Sequence, residues 1–103
     1  MRSNKLILLT KKGCCLCEAL EERLREIPLD QIKPSFELDI LDIDSEEVSV
    51  EQAESYSLEV PVLFCELQEP LRRYKLPRAS PRLSQDGLLN WLKKVIQRSI
   101  ETN

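Results

Sequence analysis

Histidine is absent from this 103-residue chain, so any metal site would have to be built without imidazole. Four cysteines are enough in number for a tetrahedral site. However, Cys65 falls inside an apolar, strand-like run, and Cys14 and Cys15 are too close in sequence for a usual zinc knuckle. Long hydrophobic runs are missing as well. The opening "MRSNK" leads into only four apolar residues, Leu6 to Leu9, too short for a secretory core or a membrane span. No basic excess is present either: the net charge is −3, which gives no support to nonspecific nucleic-acid binding. Internal repeats, low-complexity tracts and domain linkers are also lacking.

What is there reads as one domain spanning residues 1–103, with 42% apolar and 32% charged residues, the composition of a soluble globular protein. A chain of this length buries a core without disulfide staples or metal. The cysteines are therefore not needed merely to hold it together. With no signal segment, the expected location is cytoplasmic, and the expected state is a monomer with no membrane or nucleic-acid partner. Thiols are kept reduced there, so a close cysteine pair points to catalysis or metal binding rather than a permanent crosslink. One local departure in charge is the run Arg72, Arg73, Lys75, Arg78 and Arg82, which has no acid among it. It reads either as a solvated edge that discourages strand pairing or as a patch selecting an anionic partner.

"KLILLT" (Lys5–Thr10) is a continuous apolar run, as expected of a central strand buried on both faces. From Cys15 to Ile27, Leu16, Ala19, Leu20, Leu24 and Ile27 recur at helical spacing until Pro28 stops the helix. "FELDILDID" begins by alternating, a half-exposed strand parallel to the first. Ser49 to Gln52 forms a capping box that opens a short helix to about Tyr56. Val60 to Leu67 is a third, strongly apolar strand with Pro61 near its start. A reversal at Leu67–Pro70 leads to a weak edge strand, Leu71–Tyr74. Ser84 caps a last helix, with Leu83 and Leu88 placed as a hydrophobic staple and Leu88, Leu89, Leu92, Val95 and Ile96 as its buried stripe. The order βαβαββα predicts an α/β fold: a right-handed crossover and a hairpin forming a mixed four-stranded sheet flanked by three helices.

The chemistry concentrates in "TKKGCCLC", Thr10 to Cys17. Cys14 falls at the turn from strand to helix and is expected to face solvent. Cys17 shares a helix face with Leu20 and Leu24 and is expected to be buried. A sulfur in the first helical turn meets unpaired amides and a partial positive charge, which favour thiolate and lower its pKa. Lys11 and Lys12 act in the same sense; Glu18, Glu21 and Glu22 oppose them. A thiolate there can attack a disulfide, and a second cysteine one turn on can resolve the mixed disulfide. The competing reading of the pair is two small apolar residues that lie close. Cys15 reads as a bystander, because a bond between adjacent cysteines is strained, and Cys65 reads as core.

"KKGCCLC" together with "LEVPVLF" (Leu58–Phe64) resembles the thioredoxin-fold superfamily, and within it the small glutaredoxin-like proteins, over Lys5 to about Arg98. The resemblance implies a thioredoxin-like (glutaredoxin-like) fold and thiol–disulfide exchange with Cys14 as nucleophile and Cys17 resolving. It also implies a cis Val60–Pro61 bond opposite the two sulfurs, and substrate contacts from Lys11, Val60 and Pro61. The partner would be a protein disulfide or glutathione disulfide, with no resident cofactor and glutathione as a candidate reductant. The chain departs from glutathione-using members by having Cys15-Leu16 between the cysteines and no Gly pair in "LPRASPRLSQDG", where Arg78, Arg82 and the amides after Ser84 offer a carboxylate site instead. Two alternatives stay open: a metal or iron–sulfur module, and a noncatalytic adaptor that keeps the fold.

Overall fold

The run Leu6–Leu9 sits at the centre of the molecule because each of its side chains is hidden, alternately on the two faces of a sheet. A computed structural model of the protein describes residues 4–32, 35–68, 71–80 and 82–101. Strand β1 (Asn4–Thr10) pairs in parallel with β2 (Phe36–Asp42) and antiparallel with β3 (Val62–Gln68), which pairs antiparallel with β4 (Leu71–Lys75). The sheet order is β2-β1-β3-β4. It is the mixed four-stranded sheet expected, with β2 and the charged β4 at the edges, where half-exposed side chains are tolerated. The reversal expected at Leu67–Pro70 includes positions 69 and 70, which lie outside the described residues.

Helix α1 (Cys15–Glu26) follows Cys14 as its N-cap and ends where Ile27 turns extended ahead of Pro28, since a residue before proline is disfavoured in helical geometry. A single 3-10 turn at Leu29–Gln31 follows. Helix α2 (Val50–Tyr56) is capped by Ser49, whose hydroxyl accepts from the Gln52 amide at 3.1 Å. Helix α3 (Gln85–Glu101) is capped in the same manner by Ser84, which accepts from the Gly87 amide at 3.1 Å. Each such cap is worth about 1 kcal/mol.

Two clusters hold these elements together. Leu6, Leu8, Leu63 and Cys65 face Leu24 of α1 and the stripe Leu88, Leu92, Val95 and Ile96 of α3. On the other side Leu9 and Val62 pack with Ile43, Val48 and Val60, and Ala53 and Tyr56 of α2 lie against them. The layers are thus helix, sheet, helix, the thioredoxin-like arrangement. No helix among the described residues is long and apolar enough to cross a membrane.

Candidate active site

Strand β1 ends at Thr10, and a tight turn carries the chain into α1. The Cys14 amide donates to the Lys11 carbonyl at 3.2 Å to close it. Gly13 makes the turn possible: its φ of +78° is left-handed, and a side chain there would meet no atom within 4 Å. What glycine removes is backbone strain of about 1 kcal/mol, not a clash. Cys14 is then extended (φ −91°, ψ 102°) and acts as the N-cap residue, its sulfur accepting from the Cys17 amide at 3.1 Å. That amide is one of the unpaired donors of a first helical turn.

Cys14 is half-buried, whereas Cys17 is 1% exposed. Their sulfurs are within disulfide-bonding distance, with the Cα atoms 5.2 Å apart, inside the ordinary disulfide range. Cys17 does not join Leu20 and Leu24, with which it shares helical spacing. It packs instead with Leu9, Val60 and Val62 on the opposite side of the sheet. The reason is its position at the first turn of α1, where the helix has only just left the end of β1.

Register brings the second motif to the same place. Leu9 pairs with Val62, so Pro61 stands one residue before the ladder begins, at the end of β1 from which the cysteine turn departs. The Val60–Pro61 peptide bond is cis. The Val60 side chain is buried and its amide donates to the Tyr56 carbonyl at 3.0 Å. Among the described residues nothing donates to the Val60 carbonyl, which is therefore the main-chain group it has to offer. Lys11 is exposed and lines a different, shallow depression together with Asp44, Glu46 and Glu54. Proximity in sequence to Cys14 does not bring it into the hollow at Pro61.

The remaining cysteines are separate from the pair. Cys15 is an exposed free thiol. Cys65 is wholly buried on the α3 side, where burial pushes its thiol up to about 11, leaving it protonated and inert at neutral pH. Among the described residues no group of three or more Cys, Asp or Glu is arranged to hold a metal ion.

The basic run does not act as one patch. Arg73 bonds Glu66 at 2.7 Å and lies over the Phe64 ring; Lys75 bonds Glu59 at 2.7 Å and lies over Tyr56. Burial pushes the Glu66 carboxyl up, but hydrogen bonds from Arg73 and Gln68 and the charges of Arg73 and Lys5 outweigh it and hold the pKa below the usual value. Arg78 is exposed and lines a cavity of about 110 Å³ beside Pro61, walled by Leu16, Ala19 and Leu20 of α1 and by Ala79. A larger hollow of about 500 Å³ adjoins it, sharing Leu20, Pro61, Arg78 and Ala79. Leu16, Leu20 and Ala79 were not legible as site residues, since their apolar character alone marks them as core; the half-exposure of Leu16 appears only in three dimensions.

A parallel–antiparallel sheet with helices on both faces, a cysteine pair at the first helical turn and a cis-proline just ahead of the strand paired with β1 define a thioredoxin-like protein. The model of the Glutaredoxin-like domain (DUF836) family matches residues 5–93, and the chain belongs to that family. Among solved structures it is similar to protein Ne2328 from Nitrosomonas europaea, at 30% identity over 88% of this chain and 93% of that one, with a TM-score of 0.51. It shares its fold with a disulphide isomerase from Xylella fastidiosa Temecula1, at 18% identity, 91% and 79% coverage and a TM-score of 0.61. A malarial protein is similar too, at 17% identity, 92% and 99% coverage and a TM-score of 0.57. No curated protein matches the chain.

Proposed function

We propose that the protein is a cytoplasmic thiol–disulfide oxidoreductase in which Cys14 is the nucleophile and Cys17 the resolving thiol. The observation that carries this reading is the pairing of a half-exposed and a buried sulfur within bonding distance at the start of α1. In the reduced protein the Cys14 thiolate, favoured by the α1 terminus, attacks one sulfur of a substrate disulfide. The other substrate sulfur leaves as a thiolate and takes a proton. Cys17 then loses its proton and attacks Cys14, which expels the second substrate thiolate and leaves the Cys14–Cys17 disulfide. Two electrons pass from protein to substrate. A thiol reductant, glutathione being the candidate, reverses the exchange at the protein, so no resident cofactor is required.

Substrate contacts are assigned to Pro61 and to the Val60 carbonyl, which can accept from an extended substrate backbone. Lys11 is assigned to the approach of the substrate along the depression it lines with Asp44, Glu46 and Glu54, on the α2 side of the turn. The substrate is a protein disulfide or glutathione disulfide, met by a monomer.

The test is disulfide reduction by wild type, Cys14→Ser and Cys17→Ser. Cys14→Ser is expected to be inactive, and Cys17→Ser to accumulate substrate covalently attached to residue 14, identifiable by mass spectrometry. Equal rates in all three proteins would contradict the reading and leave a noncatalytic adaptor.

A further inference from the structure

The segment 57–61, which carries the Val60 carbonyl, links the end of α2 to the start of β3, and its apolar Leu58 is 93% exposed. Val60 anchors the segment by its buried side chain. Two further ties converge on Glu59, the residue before it. The Tyr56 carbonyl accepts from the amides of both Glu59 and Val60, at 2.9 and 3.0 Å, and the Glu59 carboxylate accepts from the Lys75 ammonium at 2.7 Å. Among the described residues, that ion pair is the one joining the segment to the sheet. We propose that Lys75 is a positioning residue for the exchange reaction: by gripping Glu59 while lying over the Tyr56 ring, it holds the segment so that the Val60 carbonyl is set to receive a substrate backbone. The proposal rests on the thiol–disulfide reading, which assigns that carbonyl to substrate, and adds to it a residue on β4 that acts through Glu59 and Tyr56.

The contacts close a ring. Lys75 stands opposite Phe64 in the β3–β4 register, and the Phe64 ring meets Tyr56 edge to face, centroids 5.7 Å apart and planes at 78°. The Lys75 ammonium lies 5.1 Å from the Tyr56 centroid, and Glu59 brings the chain back to it. The two contacts of Lys75 resist different displacements. Lifting the segment off the sheet breaks the ion pair, whereas sliding the last turn of α2 breaks the contact between cation and ring. Arg73, two residues earlier on the same face of β4, makes the same pair of contact types with different partners: Glu66 across the ladder and the Phe64 ring. Both of those belong to β3, so Arg73 fastens strand to strand and holds no loop. Only the partner distinguishes the two cations, and the partner of Lys75 adjoins Val60. Because the pair is half-exposed, its hold is modest. An exposed ion pair and an exposed cation–ring contact together correspond to about a three- to tenfold effect.

The experiment compares the full-length wild type with Lys75→Met, which keeps the stem and loses the charge, and Lys75→Arg, which keeps both contacts. The first readout needs no activity: amide hydrogen exchange in the disulfide form. Protection of the Glu59 and Val60 amides is expected to fall about three- to tenfold in Lys75→Met and to return in Lys75→Arg, with the Leu6 and Leu8 amides of β1 unchanged. The second readout is single-turnover reduction by the prereduced protein of two disulfides. One is a peptide disulfide with extended chain on both sides of its cysteine; the other is bis(2-hydroxyethyl) disulfide, which has no amide to donate to Val60. Lys75→Met is expected to raise the half-saturating concentration of the peptide by the same factor while its maximal rate stays within about twofold, to leave the small disulfide unaffected, and to be rescued by arginine. Unchanged protection, equal losses with both disulfides, or no rescue would overturn the proposal. A wild type inactive towards both disulfides would defeat the oxidoreductase reading and the proposal with it, whereas unchanged protection in an active protein defeats the proposal alone.

Discussion

Replacing Cys65 by alanine should change how the protein's stability depends on pH. The side chain is completely buried among Leu6, Leu8, Leu63 and the α3 stripe, where a thiolate has no solvation, and its pKa stands at about 11 against an ordinary value of 9.0. An unfolded chain releases this proton from about pH 9 upward, while the folded chain keeps it to about pH 11. The unfolded state therefore binds fewer protons in that window, and folding stability falls as pH rises through it. At 1.36 kcal/mol per unit, a two-unit gap corresponds to a loss on the order of 2–3 kcal/mol by pH 11. Near pH 7 the variant should itself be less stable by about 1 kcal/mol, the order expected for removing one buried heavy atom. Urea titrations of the disulfide form at pH 7, 9, 10 and 11 can be followed by the fluorescence of Trp91, the chain's single tryptophan, which packs against this cluster. Other groups that ionise in the range are common to both proteins and cancel in the comparison. The wild-type curve should fall towards the alanine curve and cross it near pH 10. Parallel curves from pH 8 to 11 would refute the burial argument for this thiol.

Arg73→Ala should raise the Glu66 carboxyl towards the usual range, visible in an NMR titration of its side-chain carbon. The stability contributed by the depressed carboxyl is present above the unfolded value and disappears as pH falls through the folded one; at pH 7 the partly exposed pair is worth at most about 1 kcal/mol. Leu24→Ala should destabilise by about 2–5 kcal/mol in chemical denaturation, because a fully buried side chain anchoring α1 to the sheet leaves a cavity. Cys15→Ser should keep disulfide reduction within about twofold of wild type, since Cys15 is exposed and outside the pair; a tenfold loss would make it a participant.

The layered fold was readable because its signals are local and agree with one another. The apolar run of β1, the proline stop after α1, the serine caps of α2 and α3 and the stripe of α3 each identify one element, and their order leaves few topologies. The cysteine pair was readable for a similar reason, since both sulfurs lie within a single helical turn. What escaped depends on partners far along the chain. Helical spacing grouped Cys17 with Leu20 and Leu24, but the end of β1 and the start of β3 draw it to the other cluster. Two members of the basic run are neutralised, Arg73 directly across the β3–β4 ladder by Glu66 and Lys75 by Glu59 ahead of β3. The engagement of the Val60 amide by Tyr56 continues the last turn of α2 into the loop, a bond that no residue pattern announces.

Everything functional turns on the ionisation and reach of one sulfur, and the most direct measurement is the pH dependence of alkylation of the reduced protein, resolved residue by residue by mass spectrometry. Residue 14 is predicted to react first, with a midpoint below the value of about 8.5 typical of a free cysteine, ahead of exposed Cys15 and with Cys65 unreactive. A midpoint at or above that value, or labelling of residue 14 no faster than of Cys15 at neutral pH, would contradict the account.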